Sequence, residues 1–304
     1  MMGADFVALS IVPLVIGVLA AVACALPGNF LVLRRQALIG DAISHVVLPG
    51  IVVGFLVAGV AGTWPMLIGA TAAALVAVLM IEGIQRLGRV EPGAAMGVTF
   101  TTLFAAGVLL LEQSDTSSVH LDVEHALYGN LESLIWIDAT GWGSLVDLQA
   151  LAGLPPELTR ISVAALGVVA FVWFAWRPLA VSTFDEGFAR SMGLPVRAIG
   201  IALVVVSALA AVAAFDAVGS IIVIAMFICP PAAARLVTNR LVAQVAWSVG
   251  FAVLSAVAGY VLAGYGPIWL GFGNSVSAAG MIATVSGLIL AVCAIAGPAR
   301  HATT

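Results

Sequence analysis

A polytopic all-α bundle, crossing a membrane about eight to ten times, is the fold this sequence predicts, and three observations predict it. First, 62% of its 304 residues are hydrophobic and 9% charged, with a mean hydropathy of +1.19, more apolar surface than a soluble domain can hide. Second, the apolar residues form runs near 8–33, 37–60, 64–84, 93–111, 161–176, 198–214, 217–234, 242–263 and 277–296, most of them long enough to cross hydrocarbon. Third, all 11 basic residues are arginines, and they segregate. With the Arg34/Arg35 turn in the cytoplasm, Arg86, Arg89, Arg177, Arg190, Arg197, Arg235, Arg240 and Arg300 also fall inside and only Arg160 falls outside, which puts the N-terminus out and the C-terminus in.

Taken in order, the opening MMGADF lacks the basic region of a signal peptide, so the first run is expected to stay as a span. The second run carries Asp41 and His45. Glu82 and Glu112 sit near the ends of the third and fourth and read as interfacial anchors. Residues 114–159 form an acidic outer segment with Asp115, Asp122, Glu124, Glu132, Asp138, Asp147 and Glu157 and no basic residue; it either concentrates cations and docks a basic partner or is a solvated loop. Within it His120, Asp122, Glu124 and His125 match no zinc-protease spacing and are better read as part of an amphipathic interfacial helix. Residues 177–197 return the chain to the cytoplasmic side. The seventh run is the irregular one, because Pro230 and Pro231 remove consecutive backbone donors, so a broken or re-entrant helix is expected there. Trp64, Trp136, Trp142 and Trp269 lie near outer boundaries, as an aromatic belt would. Cys24, Cys229 and Cys293 are far apart in apolar runs and read as small hydrophobes. Nothing divides the chain, and residues 1–304 are read as a single transmembrane domain.

The chemistry concentrates in the second run. Asp41 and His45 stand four apart, which on a helix puts a carboxylate and an imidazole on one face a turn apart. Each ionisable group at membrane depth costs about 2.5–3.5 kcal/mol even on the mild insertion scale, so such groups mark pathways and relays. Together they suit manganese, iron or zinc, and the lack of a nearby thiolate argues against copper(I); the bland alternative is a hydrogen bond between the two or to a neighbouring helix. Asp41, His45, Leu48 and Val52 form one stripe, and Gly50 and Gly54 form a small-residue stripe nearly opposite that invites a close helix neighbour. Pro49 is placed to kink the helix and free the His45 carbonyl. In 177–197, Asp185, Glu186 and Arg190 flank an apolar ridge of Phe184, Phe188 and Met192, and Gly193 and Pro195 stop it. Asp216 falls at the outer turn between the sixth and seventh runs, an N-cap or a possible outer gate. Walker-type phosphate loops need a lysine, so a chain without one cannot hydrolyse ATP by that route.

LVLRRQALIGDAISHVVLPGIVVGFLV (Leu31 to Val57) resembles the signature of ATP-binding-cassette (ABC) permeases that import manganese, zinc or iron. RVEPGAAMGVTFTTLFAAGVLLL (Arg89 to Leu111), EHALYGNLES (Glu124 to Ser133), STFDEGFARSMGLPVR (Ser182 to Arg197) and FDAVGSIIVIAMFICPPAAARLVTNRL (Phe215 to Leu241) match in the same order. Beyond them AGYVLAGYGPIWLGFGNSVSAAGM (Ala258 to Met281) departs from the common pattern with a longer outer loop. The resemblance implies a transport subunit, not itself an enzyme, in the inner membrane of a bacterium. Asp41 and His45 would bind the transported ion, with manganese or iron favoured and zinc possible, and no cofactor would be bound permanently. Phe184, Asp185, Glu186, Phe188, Arg190, Met192 and Gly193 would form the coupling helix seated on an ATPase subunit. The implied partners are ABC ATPase subunits that use the ATP, a metal-binding extracytoplasmic solute-binding protein, a second permease copy or a homologous sister, and membrane lipid; no nucleic acid is implied. Two alternatives stay open: a self-contained secondary cation transporter using Asp41 and His45 for proton exchange, and a membrane scaffold that transports nothing.

Overall fold

The computed structural model describes residues 6–59, 63–113, 131–269, 271 and 276–297. Among them there are no strands, and nine helices are long and apolar enough to cross a membrane. They are α1 (Val12–Leu33, entered through a π-helical turn at Val7–Ile11), α2 (Ile39–Ala58), α3 (Thr63–Gly88), α4 (Pro92–Gln113), α6 (Pro156–Phe174), α9 (Val196–Val218), α10 (Ser220–Val237), α11 (Leu241–Trp269) and α12 (Ala278–Ala296). Three shorter helices lie between spans: α5 (Leu148–Ala152), α7 (Trp176–Phe184) and α8 (Glu186–Ser191).

Helix α1 is the hub. Fifteen of its residues are buried, among them Gly17, Ala20, Ala21, Ala23, Ala25 and Gly28, and this small-residue surface lets α6, α9, α10 and α11 pack around it. The α2–α3 hairpin and α4 form a second group, which α9 and α10 join to the first. The expected glycine stripe makes the α2–α3 contact. A methyl group on Gly50 would come within 2.6 Å of the Gly69 carbonyl oxygen and the Ala70 Cα, and Gly54 lies against the Pro65 carbonyl. Gly107 of α4 accepts Pro49 in the same way.

The seventh span differs from the sequence expectation. Helix α10 runs unbroken through Pro230 and Pro231, and no re-entrant loop forms. Pro231 leaves the Phe227 carbonyl without its helical donor, and that oxygen faces Gly28 of α1, where a methyl group would come within 2.5 Å. Close packing of α10 on α1 covers the freed carbonyl at this point. A similar exchange lengthens α11 past the predicted end of the eighth run: Pro267 frees the Ala263 carbonyl, which accepts from the Val276 N–H at 3.2 Å. The α9–α10 turn falls at Gly219, whose φ of 79° favours glycine.

His120, Asp122, Glu124 and His125 lie outside the described residues. The described remainder of the outer acidic segment forms short helical turns and α5, with Glu132, Asp138 and Asp147 exposed and a few residues packed inward. Trp136 is buried and does not join a lipid belt: its indole N–H donates to the Ala150 carbonyl at 2.8 Å, and its backbone N–H donates to Ala8 at the same distance. Glu132 accepts from the Ala278 N–H and so caps α12. Trp64, Trp142 and Trp269 are exposed.

The α2–α3 contact yields a direct test. Gly50→Val or Gly69→Val drives a side chain into backbone, at a cost of about 1–3 kcal/mol or more, and should lower the apparent unfolding temperature of the purified chain by about 5 °C or more. Gly83→Ala in the same helix α3, where nothing lies within 4 Å, should move it by about 1 °C at most.

Candidate metal site and coupling surface

The site is built on the first turns of α2. Asp41 and His45 do share one face, with Asp41 Oδ1 3.4 Å from His45 Nε2. The imidazole is also clamped from α4, stacking on Phe100 with ring centroids 5.4 Å apart and meeting Phe104 edge-on at 5.8 Å. Such aromatic contacts contribute about 0.5–1.5 kcal/mol each beyond burial, enough to fix the ring orientation. Sequence reading missed these two phenylalanines; their four-residue spacing within a span was the available signal. The stripe through Asp41 and His45 turns inward toward the other end of α2, since Val52 is fully buried.

Two donors are all that this face supplies. Among the described residues no group of three or more His, Cys, Asp or Glu side chains converges, and divalent transition metals take four or more ligands. The Asp41 and His45 side chains nevertheless stay 26% and 32% exposed at the surface of the single chain. The arrangement leaves one carboxylate and one imidazole partly exposed at the surface of the chain, on a helix long and apolar enough to cross a membrane.

Asp216 does not cap a helix. It lies in the last turns of α9, where Asp216 Oδ2 is 2.6 Å from an Arg160 guanidinium nitrogen, while the N-cap of α10 is Gly219, with no side-chain cap. Arg160 also contacts Glu157 at 2.7 Å. Arg160 is thus held by two carboxylates, and its pair with Asp216 ties α6 to α9.

On the opposite side, α7 and α8 form an elbow below the spans. Asp185 caps α8 by accepting from the Phe188 N–H at 2.8 Å, and Glu186 pairs with Arg190 at 2.6 Å along the solvent edge. Ala189 is buried beneath, and Gly193 ends the turn with φ 75°. Phe184, Phe188 and Met192 are left more than half exposed, as the predicted ridge requires. Arg34, in the α1–α2 turn, reaches this elbow: its Nε donates to Thr183 Oγ1 at 3.0 Å and an Nη to Ser182 Oγ at 2.8 Å. Burial pulls its guanidinium below the ordinary arginine value, and Glu186 nearby opposes that shift.

Comparison with known proteins places this architecture. The chain is 39% identical over 288 residues to the manganese transport system membrane protein MntD of Bacillus subtilis, covering 95% of this chain and 92% of that one. It is 35% identical over 216 residues to the zinc transport system membrane protein TroD of Treponema pallidum, covering 71% and 56%. Among solved structures it matches PsaBC from Streptococcus pneumoniae in complex with Fab at a TM-score of 0.73 and 25% identity, over 95% of this chain and 92% of that one. An inward-facing putative metal-chelate type ABC transporter shares the fold at a TM-score of 0.66 and 13% identity, over 96% and 87%. The ABC 3 transport family model matches residues 9–139 and 149–296, and the chain belongs to that family.

Proposed function

We propose that this chain is the membrane-spanning permease subunit of an ABC importer for a divalent transition metal, manganese first. The observation that carries this is the Asp41–His45 half-site, an ionisable pair held in a span yet open at the protomer surface. A second permease, a copy of this chain or a sister, completes the layer with its own carboxylate and imidazole, giving four oxygen and nitrogen donors of the kind such metals take. A transport site must also release its ion, so few ligands suit it. Manganese is favoured by the relatives named for it; iron(II) shares its ligand chemistry, and zinc follows.

In this reading the ion arrives at the outer face from an extracytoplasmic binding protein and is received between Asp41 and His45 of the paired subunits. Separate ATPase subunits grip Phe184, Phe188 and Met192, with Asp185, Glu186, Arg190 and Gly193 shaping that surface, and ATP-driven closure opens the inner side. The subunit sits in the bacterial inner membrane. A self-powered exchanger has no use for three exposed apolar side chains on a capped cytoplasmic elbow, and that observation favours the ABC reading over it. Asp216 then serves to lock Arg160 between α6 and α9 at the outer end, and any gating role rests on breaking that pair.

Three outcomes test the proposal. Asp41→Asn and His45→Ala should each cut radioactive manganese uptake at least tenfold in cells that depend on this transporter, at unchanged expression; near-normal uptake by both would remove the metal role. In competition with the native binding protein present, unlabelled manganese(II) or iron(II) should suppress that uptake at lower concentration than zinc, and exclusive zinc transport would overturn the preference. Phe184→Ala combined with Phe188→Ala removes the two aromatic anchors of a small interface, where few residues carry most of the binding energy. The double variant should lose ATPase co-purification or its stimulated hydrolysis while still inserting in the membrane, and import at the normal rate would exclude the elbow as the power connection.

A further inference from the structure

The elbow and the half-site are joined by one side chain. The α1–α2 turn is tightly specified: Arg34 N donates to Phe30 O at 3.0 Å, Gln36 N to Leu31 O at 2.8 Å and Ile39 N to Gln36 O at 3.1 Å, while Arg35 takes a left-handed φ of 59°. Asp41 lies two residues beyond Ile39, in the first turn of α2, so a displacement of the turn is a displacement of Asp41. Among the described residues, the side-chain hydrogen bonds from α7 to this turn are the two that Arg34 makes, to Ser182 and Thr183. Both acceptors immediately precede Phe184, the first residue of the exposed ridge.

The chemistry suits a link that has to move. Ser182 is buried and its hydroxyl donates to the Pro178 carbonyl at 2.5 Å, leaving its lone pairs for Arg34. The planar guanidinium presents two N–H donors to two neighbouring hydroxyls in a fixed fork, whereas a lysine ammonium is a point charge on a flexible stem with no such pre-organised geometry. No carboxylate lies within ion-pair distance of Arg34 in the described residues, so the link consists of charge-to-hydroxyl bonds, directional yet less costly to break than a buried ion pair. Gly200 of α9 leaves room for the guanidinium: a methyl group there would stand 3.3 Å from one Nη. Beside it lies a cavity of about 440 Å³ lined by Arg34, Glu82, Arg86, Glu186, Arg190 and Gly200, among others, space into which the elbow can swing.

We propose that Arg34 is the positioning residue that carries movement of the α7–α8 elbow into the α1–α2 turn, and thereby shifts Asp41 against His45 when ATP closes the partner ATPase. This rests on the permease reading above and assigns the connection within it. Motion of the ridge pulls Ser182 and Thr183, the guanidinium fork pulls the turn, and the first turn of α2 follows. Loading works in reverse, an ion drawn between Asp41 and His45 holding the turn and, through Arg34, the elbow.

The test uses the whole transporter, with ATPase and binding protein, in proteoliposomes, and reads two quantities: manganese imported per ATP hydrolysed, and manganese affinity of the permease without ATP. Arg34→Gln should lower ions per ATP at least tenfold while the affinity stays within about twofold. Arg34→Lys, with its charge but no fork, should recover only part of the loss. Thr183→Val, which keeps the shape and removes one acceptor, should lower the ratio about threefold and add nothing when combined with Arg34→Gln, because both break one link. A wild-type ratio in Thr183→Val, losses that multiply in the double variant, full recovery by lysine, or a fall in affinity equal to the fall in transport would overturn the proposal. Should Arg34→Gln not assemble, Thr183→Val and Arg34→Lys carry the decision. A wild-type preparation that imports manganese independently of ATP would instead overturn the permease reading itself.

Discussion

Helices surrounded by lipid gain nothing by moving apolar side chains from one hydrocarbon environment to another, so this bundle depends on how closely its backbones approach. Gly50, Gly54 and Gly69 let α2 and α3 touch main chain to main chain, Gly107 receives Pro49, and Gly28 meets the Phe227 carbonyl. These contacts set the orientation of α2, and through α4 they set where Phe100 and Phe104 stand. The Asp41–His45 face points outward because its glycine face is already committed to α3.

That division of faces explains how an ionisable pair is kept in a span. Dispersion and close packing on one side hold the helix, while the other side carries groups that lipid tolerates poorly. Phe100 and Phe104 complete the arrangement by restraining the imidazole without adding a polar atom.

Much of the fold was legible because its signals are local. Run length located the spans, the Gly50/Gly54 spacing announced the close neighbour, and the Asp185-to-Gly193 pattern announced a short helix with an exposed ridge. What escaped the sequence was carried by partners distant in the chain. Asp216 looked like a cap because Arg160, 56 residues earlier, is not visible from its neighbours. Pro230 and Pro231 looked like a break because Gly28, which packs on the freed carbonyl, belongs to another helix, and the apolar run ending near 263 gave no sign of the Val276 N–H that meets the Ala263 carbonyl from beyond it. Trp136 carries the same residue type as a belt tryptophan; only the carbonyl of Ala150 marks it as part of a cover.

The outward half-site also bears on how the chain is made. A newly inserted chain, folded but alone, leaves the Asp41 carboxylate and the His45 imidazole partly exposed on a span, where lipid tolerates ionisable groups poorly. Any association that covers this face removes that burden, and by mass action the paired form is favoured as subunit concentration rises. Biogenesis is then self-monitoring. A polar pair left partly exposed on a span marks a chain that stands alone, and membrane quality control has a physical handle by which to distinguish uncovered chains from covered ones.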